Sequence, residues 1–153
     1  MSETGPSAYF RLFNEIGIIE QLSRTMFEAR LPPGFVVAQF SVLNHLVRTS
    51  DGRTPLALAR AFQVPKTSMT HSLAVLERAD LIEFRPNPKD GRSKLVHITD
   101  KGRQFREDAI AALAPDIARI SQSISLDHVA ALLPGLTALR EVLDADRDRP
   151  EPD

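Results

Sequence analysis

Two short stretches hold the residues with most chemistry to offer. One is Asn87-Pro88-Lys89-Asp90-Gly91-Arg92-Ser93, with Arg85 just before it and Lys94 just after. Its turn-forming residues place long cations on a projecting tip. A cation on such a tip can enter a narrow DNA minor groove, where the negative potential is strongest. Asp90, two residues before Arg92, is placed to hold the guanidinium by a charge-assisted hydrogen bond. The other stretch is Lys66-Thr67-Ser68-Met69-Thr70-His71. Its hydroxyls can bond phosphates or base edges, and Lys66 can neutralise a phosphate. If the stretch opens a helix, its free N–H groups also favour an anion. Taken singly, each stretch is more readily read as ordinary, the one as a capped helix start with a solvated surface and the other as a charged hairpin.

Little else in the chain invites chemistry. The 153 residues include no cysteine, which excludes disulfides, thiolate metal sites and thiol redox sensing. The four histidines, His45, His71, His97 and His128, have no carboxylates at metal-site spacing. No glycine-rich phosphate loop, nucleophile–base arrangement or apolar carboxylate pair is visible, so no catalytic residue, cofactor or metal is expected. No apolar run reaches the roughly 18 residues of a membrane span, and the N-terminus lacks a basic region followed by an apolar block, so a cytoplasmic protein is expected. The net charge of −1 conceals an uneven distribution. From Arg48 to Arg103, eleven Lys/Arg face six Asp/Glu, a balance of +5, while the remainder has eight against fourteen, or −6. A basic centre between acidic flanks suits a polyanionic partner.

The surrounding pattern says how these residues are held. Ser7 reads as the cap of a helix to about Arg30, with Leu12, Ile16, Ile19, Leu22 and Met26 on one face. Tyr9, Phe10, Phe13, Ile18 and Phe27 widen its apolar surface, as in a helix covered on more than one side. Pro32-Pro33-Gly34 stops it. A second helix carries Val36, Phe40, Leu43 and Val47 as its stripe, and Asp51-Gly52 turns the chain. Thr54-Pro55 caps a short helix over 55–62, with Leu56, Ala59 and Phe62 inward. Gln63-Val64-Pro65 connects to a fourth helix over about 66–79, with Met69, Leu73 and Leu76 in its core stripe. The period then changes to two, with Ile82 and Phe84 on one strand and Val96 and Ile98 on the next. Thr99 caps a fifth helix toward Ile124, broken near Pro115, and Ser125 caps a sixth. On the sixth, Leu126, Val129, Leu133, Leu136, Leu139 and Leu143 share a side, and Pro134-Gly135 should distort it. The charged end, DRDRPEPD, reads as a frayed tail.

The order helix, tight turn, helix, hairpin is that of a helix-turn-helix followed by a wing. The second of such helices fits the major groove, about 12 Å wide. In this context the groove-reading interpretation of both basic stretches is the better one. From Phe40 to Gly102 the sequence resembles MarR-family regulators, carried by AQFSVLNHL, by TPLALARAFQVPKTSMTHSLAVLERADLIEF, and above all by RPNPKDGRSKLVHITDKG. The last resembles the family's wing signature, with Asp90 and Arg92 at the tip and Ile98-Thr99-Asp100-Lys101-Gly102 as its close.

The resemblance implies a mainly α fold with a small β-hairpin wing: a dimerisation helix over 1–34, a winged helix-turn-helix over 35–99 and C-terminal dimerisation helices over 100–153. It implies a non-enzymatic transcriptional regulator, a repressor, binding a pseudo-palindromic double-stranded operator as a homodimer. Lys66, Thr67, Ser68, Thr70 and His71 would face the major groove. Asp90 and Arg92 would form the wing tip, with Arg85, Lys89 and Lys94 adding charge. A small aromatic or anionic effector, held between the dimerisation and DNA-binding regions, would release the operator. His45 and Phe13 border that region, but no ligand residue is assigned and core packing is expected for Phe13. His71 stands where arginine is common, so a weaker base or phosphate contact is expected there. Gly91 replaces a common second wing arginine, and Asp80 a frequent helix-ending glycine. A winged-helix module that contacts protein instead of DNA is the alternative.

Overall fold

The structure, a computed structural model, describes residues 5–149. The end of the charged C-terminal tail therefore lies outside the described residues. The described residues form two packing units, divided between Leu113 and Ala114.

In the first unit, α1 spans Gly5–Glu28. It begins before Ser7, which therefore lies inside the first turn and is not the cap; Pro6 is tolerated there because first-turn N–H groups have no helical acceptor. No residue of α1 is buried. At its C-terminal end Glu28 Oε1 accepts the N–H of Val37 at 3.1 Å, tying α1 to the start of α2 (Val37–Arg48). Gln39 is buried, and its side-chain oxygen accepts the Val36 N–H at 2.8 Å, which satisfies one of the open donors at the helix start.

The buried face of α2 is Gln39, Phe40, Val42, Leu43 and Leu46. Val36 and Val47, expected in the stripe, are exposed. Apolar residues spread over this short segment cover too wide an arc to fix its phase. Packing against α4, α5 and β2 selects the arc centred on Leu43 and Leu46. The same ambiguity affects α3 (Pro55–Phe62): Ala59 is buried and Phe62 packs against the core as expected, but Leu58 is fully buried in place of Leu56, which is 48% exposed. The capping is as expected: Thr54 Oγ1 accepts the Ala57 N–H at 3.1 Å, with Pro55 at the first helical position.

Gln63, at φ 52°, makes the left-handed turn into α4 (Lys66–Arg78). Met69, Ser72, Leu73 and Leu76 form the buried face of α4. Asp80, at φ 59°, then reverses the chain into β1 (Ile82–Pro86). β1 pairs antiparallel with β2 (Lys94–Ile98), matching Ile82 with Ile98 and Phe84 with Val96. Val96 is also bridged to Arg53, so the residues before α3 form a short third strip on the free edge of β2. Leu43, Leu46, Leu58, Leu73, Leu76, Leu81 and Val96 make the centre of one core that joins hairpin and helices. Burying a side chain of this size contributes roughly 1.5–3 kcal/mol.

Thr99 caps α5 (Asp100–Ala111), its Oγ1 accepting the Gly102 N–H at 3.0 Å. The helix ends at Ala111, and α6 (Ala114–Ser121) begins the second unit with Pro115 in its first turn. The break is therefore where proline requires it, since the ring supplies no N–H to continue the preceding helix. Ser125 caps α7 (Leu126–Arg147), accepting the His128 N–H at 3.3 Å. α7 continues as one helix through Pro134-Gly135, where a distortion was expected. None of its residues is buried; Leu126, Val129, Leu133, Leu136 and Leu143 are all exposed.

Candidate nucleic-acid interface

Fixing Met69, Ser72, Leu73 and Leu76 inward leaves the other side of α4 in solvent. Lys66, Thr67, Ser68, Thr70 and His71 are all exposed. The buried Met69 sets the phase: residues one and two positions on either side of it must point away from the core. The Thr70 hydroxyl donates to the Lys66 carbonyl at 2.9 Å, which leaves its oxygen lone pairs for an incoming donor. The first N–H groups of the helix, from Lys66 on, have no side-chain cap, and Lys66 is itself exposed. This combination suits a phosphate.

The wing is shaped by its own bonds. Asn87 Nδ2 donates to Ser93 Oγ at 2.9 Å, closing the neck of the loop. Asn87 Oδ1 accepts the Lys89 N–H at 3.0 Å. The Asp90 N–H bonds the Asn87 carbonyl, and the Ser93 N–H bonds the Asp90 carbonyl. Asp90 Oδ1 accepts the backbone N–H of Arg92 at 2.9 Å. This differs from the expected carboxylate–guanidinium pair. A carboxylate two residues upstream reaches the backbone N–H with little ordering, whereas holding the long arginine head costs rotamer entropy. The guanidinium of Arg92 is left exposed at the tip.

The other wing cations differ in their engagement. Lys89 is exposed on the tip and Lys94 at the start of β2, its Nζ 6.0 Å from the centre of the Phe84 ring. Arg85 is tied to Glu83, with Nε donating to Oε1 at 2.7 Å. Side chains two apart on a strand share a face, and this pairing partly neutralises Arg85. Arg85 therefore brings less free charge to the wing than its position in the sequence suggests.

Two features of the site were not legible in advance. The Asn87–Ser93 clamp joins residues that the turn-rich composition marked only as a loop. Residues 51–53, expected as a simple turn, line the edge of β2. Their only sequence signal is Asp51-Gly52, which announces the turn but not its partner.

Phe13, expected in a core, is 45% exposed, and His45 lies 5.2 Å from the Phe62 ring. Phe62 also lines a cleft of about 240 Å³ with Val37, Ser41, Val64, Ser68 and Met69. Among the described residues, no group of three or more His, Asp or Glu is placed to hold a metal ion, and no helix is long and apolar enough to cross a membrane.

Three helices around a core, the third with an exposed hydroxyl-rich start, followed by an antiparallel hairpin, define a winged helix-turn-helix protein. Residues 34–93 match the model of the MarR family. The chain is 29% identical over 130 residues to the multiple antibiotic resistance protein MarR of Escherichia coli strain K12, covering 79% of this chain and 90% of that protein. Among solved structures it resembles the transcriptional regulator BldR of Sulfolobus solfataricus, with a TM-score of 0.75 and 26% identity over 91% of this chain and 99% of that one. It also resembles a cysteine-to-serine mutant of E. coli MarR complexed with operator DNA, with a TM-score of 0.67 and 25% identity over 90% of this chain and 99% of that one. Over residues 34–93 the chain is similar to MarR-family transcriptional regulators.

Proposed function

We propose that this regulator binds a pseudo-palindromic double-stranded DNA operator as a homodimer and acts as a repressor. The observation that carries this reading is the pairing, within one packed unit, of an exposed Lys66–His71 helix start with a self-bonded wing whose Arg92 head is free. Lys66, Thr67, Ser68, Thr70 and His71 meet the major groove, while Arg92 enters the minor groove, supported by Lys89, Lys94 and the half-neutralised Arg85. Asp90 serves by shaping the loop and not by touching DNA. That a structural relative from E. coli has been solved in complex with operator DNA supports DNA as the partner.

The homodimer is supported by α1. Tyr9 is 66% exposed, Phe10 71% and Leu22 65%, an apolar helix bare to water in the lone chain. Large apolar side chains exposed in this number on one helix suit an association site. Two-fold symmetry then repeats the DNA-contacting surface, giving half-sites about one helical turn apart, ~10 bp. A dimer seated there blocks other proteins from the same DNA, which is repression in its simplest form.

Release by a small aromatic or anionic effector is supported by the cleft beside Phe62. Ser68 and Met69, at the start of α4, form part of its lining. An occupant would therefore press on the helix that reads the groove. The cleft mixes apolar walls with the hydroxyls of Ser41, Ser68 and Ser72, which suits an aromatic ring carrying a polar group.

Selection of bound sequences from a random double-stranded pool tests the reading. The expected outcome is a near-palindrome, with affinity falling steeply as salt rises because counterions are released from the phosphates. No enrichment, or binding to a protein partner with little salt dependence, would favour the protein-interaction alternative.

A further inference from the structure

Resting on the DNA-binding reading above, we propose that Asp51 is a positioning residue for the wing. Its carboxylate fastens β2 to the segment before α3, and the grip of Arg92 on DNA depends on that fastening.

The bonds along this edge are specific. The Gly52 N–H donates to the Val96 carbonyl at 3.0 Å, and the Val96 N–H donates to the Arg53 carbonyl at 2.7 Å. One step further along β2, the partner changes from backbone to side chain. Asp51 Oδ1 accepts the Ile98 N–H at 2.9 Å, across 47 residues of sequence. Its other oxygen, Oδ2, lies 3.5 Å from His97 Nδ1 and 3.9 Å from Arg103 Nη2 in the first turn of α5. One carboxylate thus reaches two successive residues of the wing strand and the helix that follows it. Gly52, at φ +72°, completes the arrangement, because a Cβ there would stand 3.0 Å from His97 Cε1. On the opposite edge of β2, Glu83 pairs in register with His97 but is itself engaged by Arg85.

Asp51 is ill suited to touch DNA directly, since a carboxylate beside phosphates is repelled. Its location at the root of the hairpin gives it leverage instead. The length of β2, at about 3.3 Å per residue, places the tip roughly 15 Å from Ile98, so a pivot of about ten degrees moves it by about 2–3 Å. A displacement of that size is enough to lose a minor-groove hydrogen bond.

The test combines two measurements. The first is a double-mutant cycle on the selected operator, read by fluorescence anisotropy with the active fraction fixed by stoichiometric titration. Asp51→Ala should weaken binding about tenfold alone and in a Lys66→Ala background, but less than about twofold in an Arg92→Ala background, because there the tip has nothing left to lose. Asp51→Asn keeps an oxygen for the Ile98 N–H and should recover most of the loss. It also supplies a folded variant if the alanine protein is unstable. The second measurement needs no DNA: amide exchange in Asp51→Ala should rise at Ile98 and through the hairpin, with α4 unchanged. Equal losses in all three backgrounds, or unchanged exchange at Ile98, would overturn the proposal while leaving DNA binding intact. Absence of any DNA binding by the unmodified protein would overturn both readings.

Discussion

Gly102 lies so close to Leu81 that a Cβ on it would stand 2.1 Å from the Leu81 carbonyl oxygen. The same carbonyl accepts the Thr99 N–H at 3.1 Å, and the Thr99 hydroxyl donates to the Asp80 carbonyl at 2.6 Å. The glycine that closes the wing signature is thus a docking point where α5 meets the end of the recognition segment. Gly102→Ala should destabilise the fold by about 3 kcal/mol, because the obstacle is backbone and cannot swing away. Urea denaturation monitored by circular dichroism measures this. A loss under about 0.5 kcal/mol would show that the two segments separate easily.

Asp80 offers the opposite experiment. It occupies the left-handed region at φ 59° and makes the turn that leads into β1. Asp80→Gly relieves the Cβ clash and should stabilise the protein by about 0.5–1 kcal/mol, with the extra backbone freedom of glycine in the unfolded state offsetting part of the gain. A rise in the urea midpoint with an unchanged m-value is the expected signature.

Arg92→Ala and Lys66→Ala should both weaken operator binding and each lower the salt-dependence slope by about 1. Arg92→Ala should leave the dimer intact. Anisotropy titrations at several salt concentrations test this, and an unchanged slope for Arg92→Ala would remove the wing from the DNA contact.

Leu22→Glu probes assembly. Leu22 is well exposed in the lone chain, so glutamate costs the subunit fold little. In an apolar subunit contact the same charge would be desolvated without a partner, a penalty of several kcal/mol. Sedimentation should show a shift from dimer to monomer, with circular dichroism unchanged. Persistence of the dimer would place the contact elsewhere.

Which parts of this architecture could be read from the sequence follows from the range of the interactions involved. The limits of α3 and α4 were legible because Thr54-Pro55 and Pro65 mark them locally, and the two strands because Ile82/Phe84 and Val96/Ile98 alternate. The inward residues of α2 and α3 were legible only in part: Phe40, Leu43, Ala59 and Phe62 face the core, but Val36, Val47 and Leu56 fit a helical stripe equally well until neighbours choose among them. The exposed face of α4 was legible because Met69 is a single apolar residue among polar ones. The bond from Asp51 to Ile98 could not be read, since nothing local links residues 47 positions apart. The choice of Asp90 between the backbone and the side chain of Arg92 was equally hidden, since the spacing permits both.

The Asn87–Ser93 bond and the turn formed by Asp90 mean that the hairpin tip reaches a duplex already in shape. The entropy of ordering that loop is spent when the chain folds, so it is not subtracted again from the free energy of each encounter. A tip lacking these two internal contacts would carry the same charge to the groove, yet would be expected to dissociate sooner.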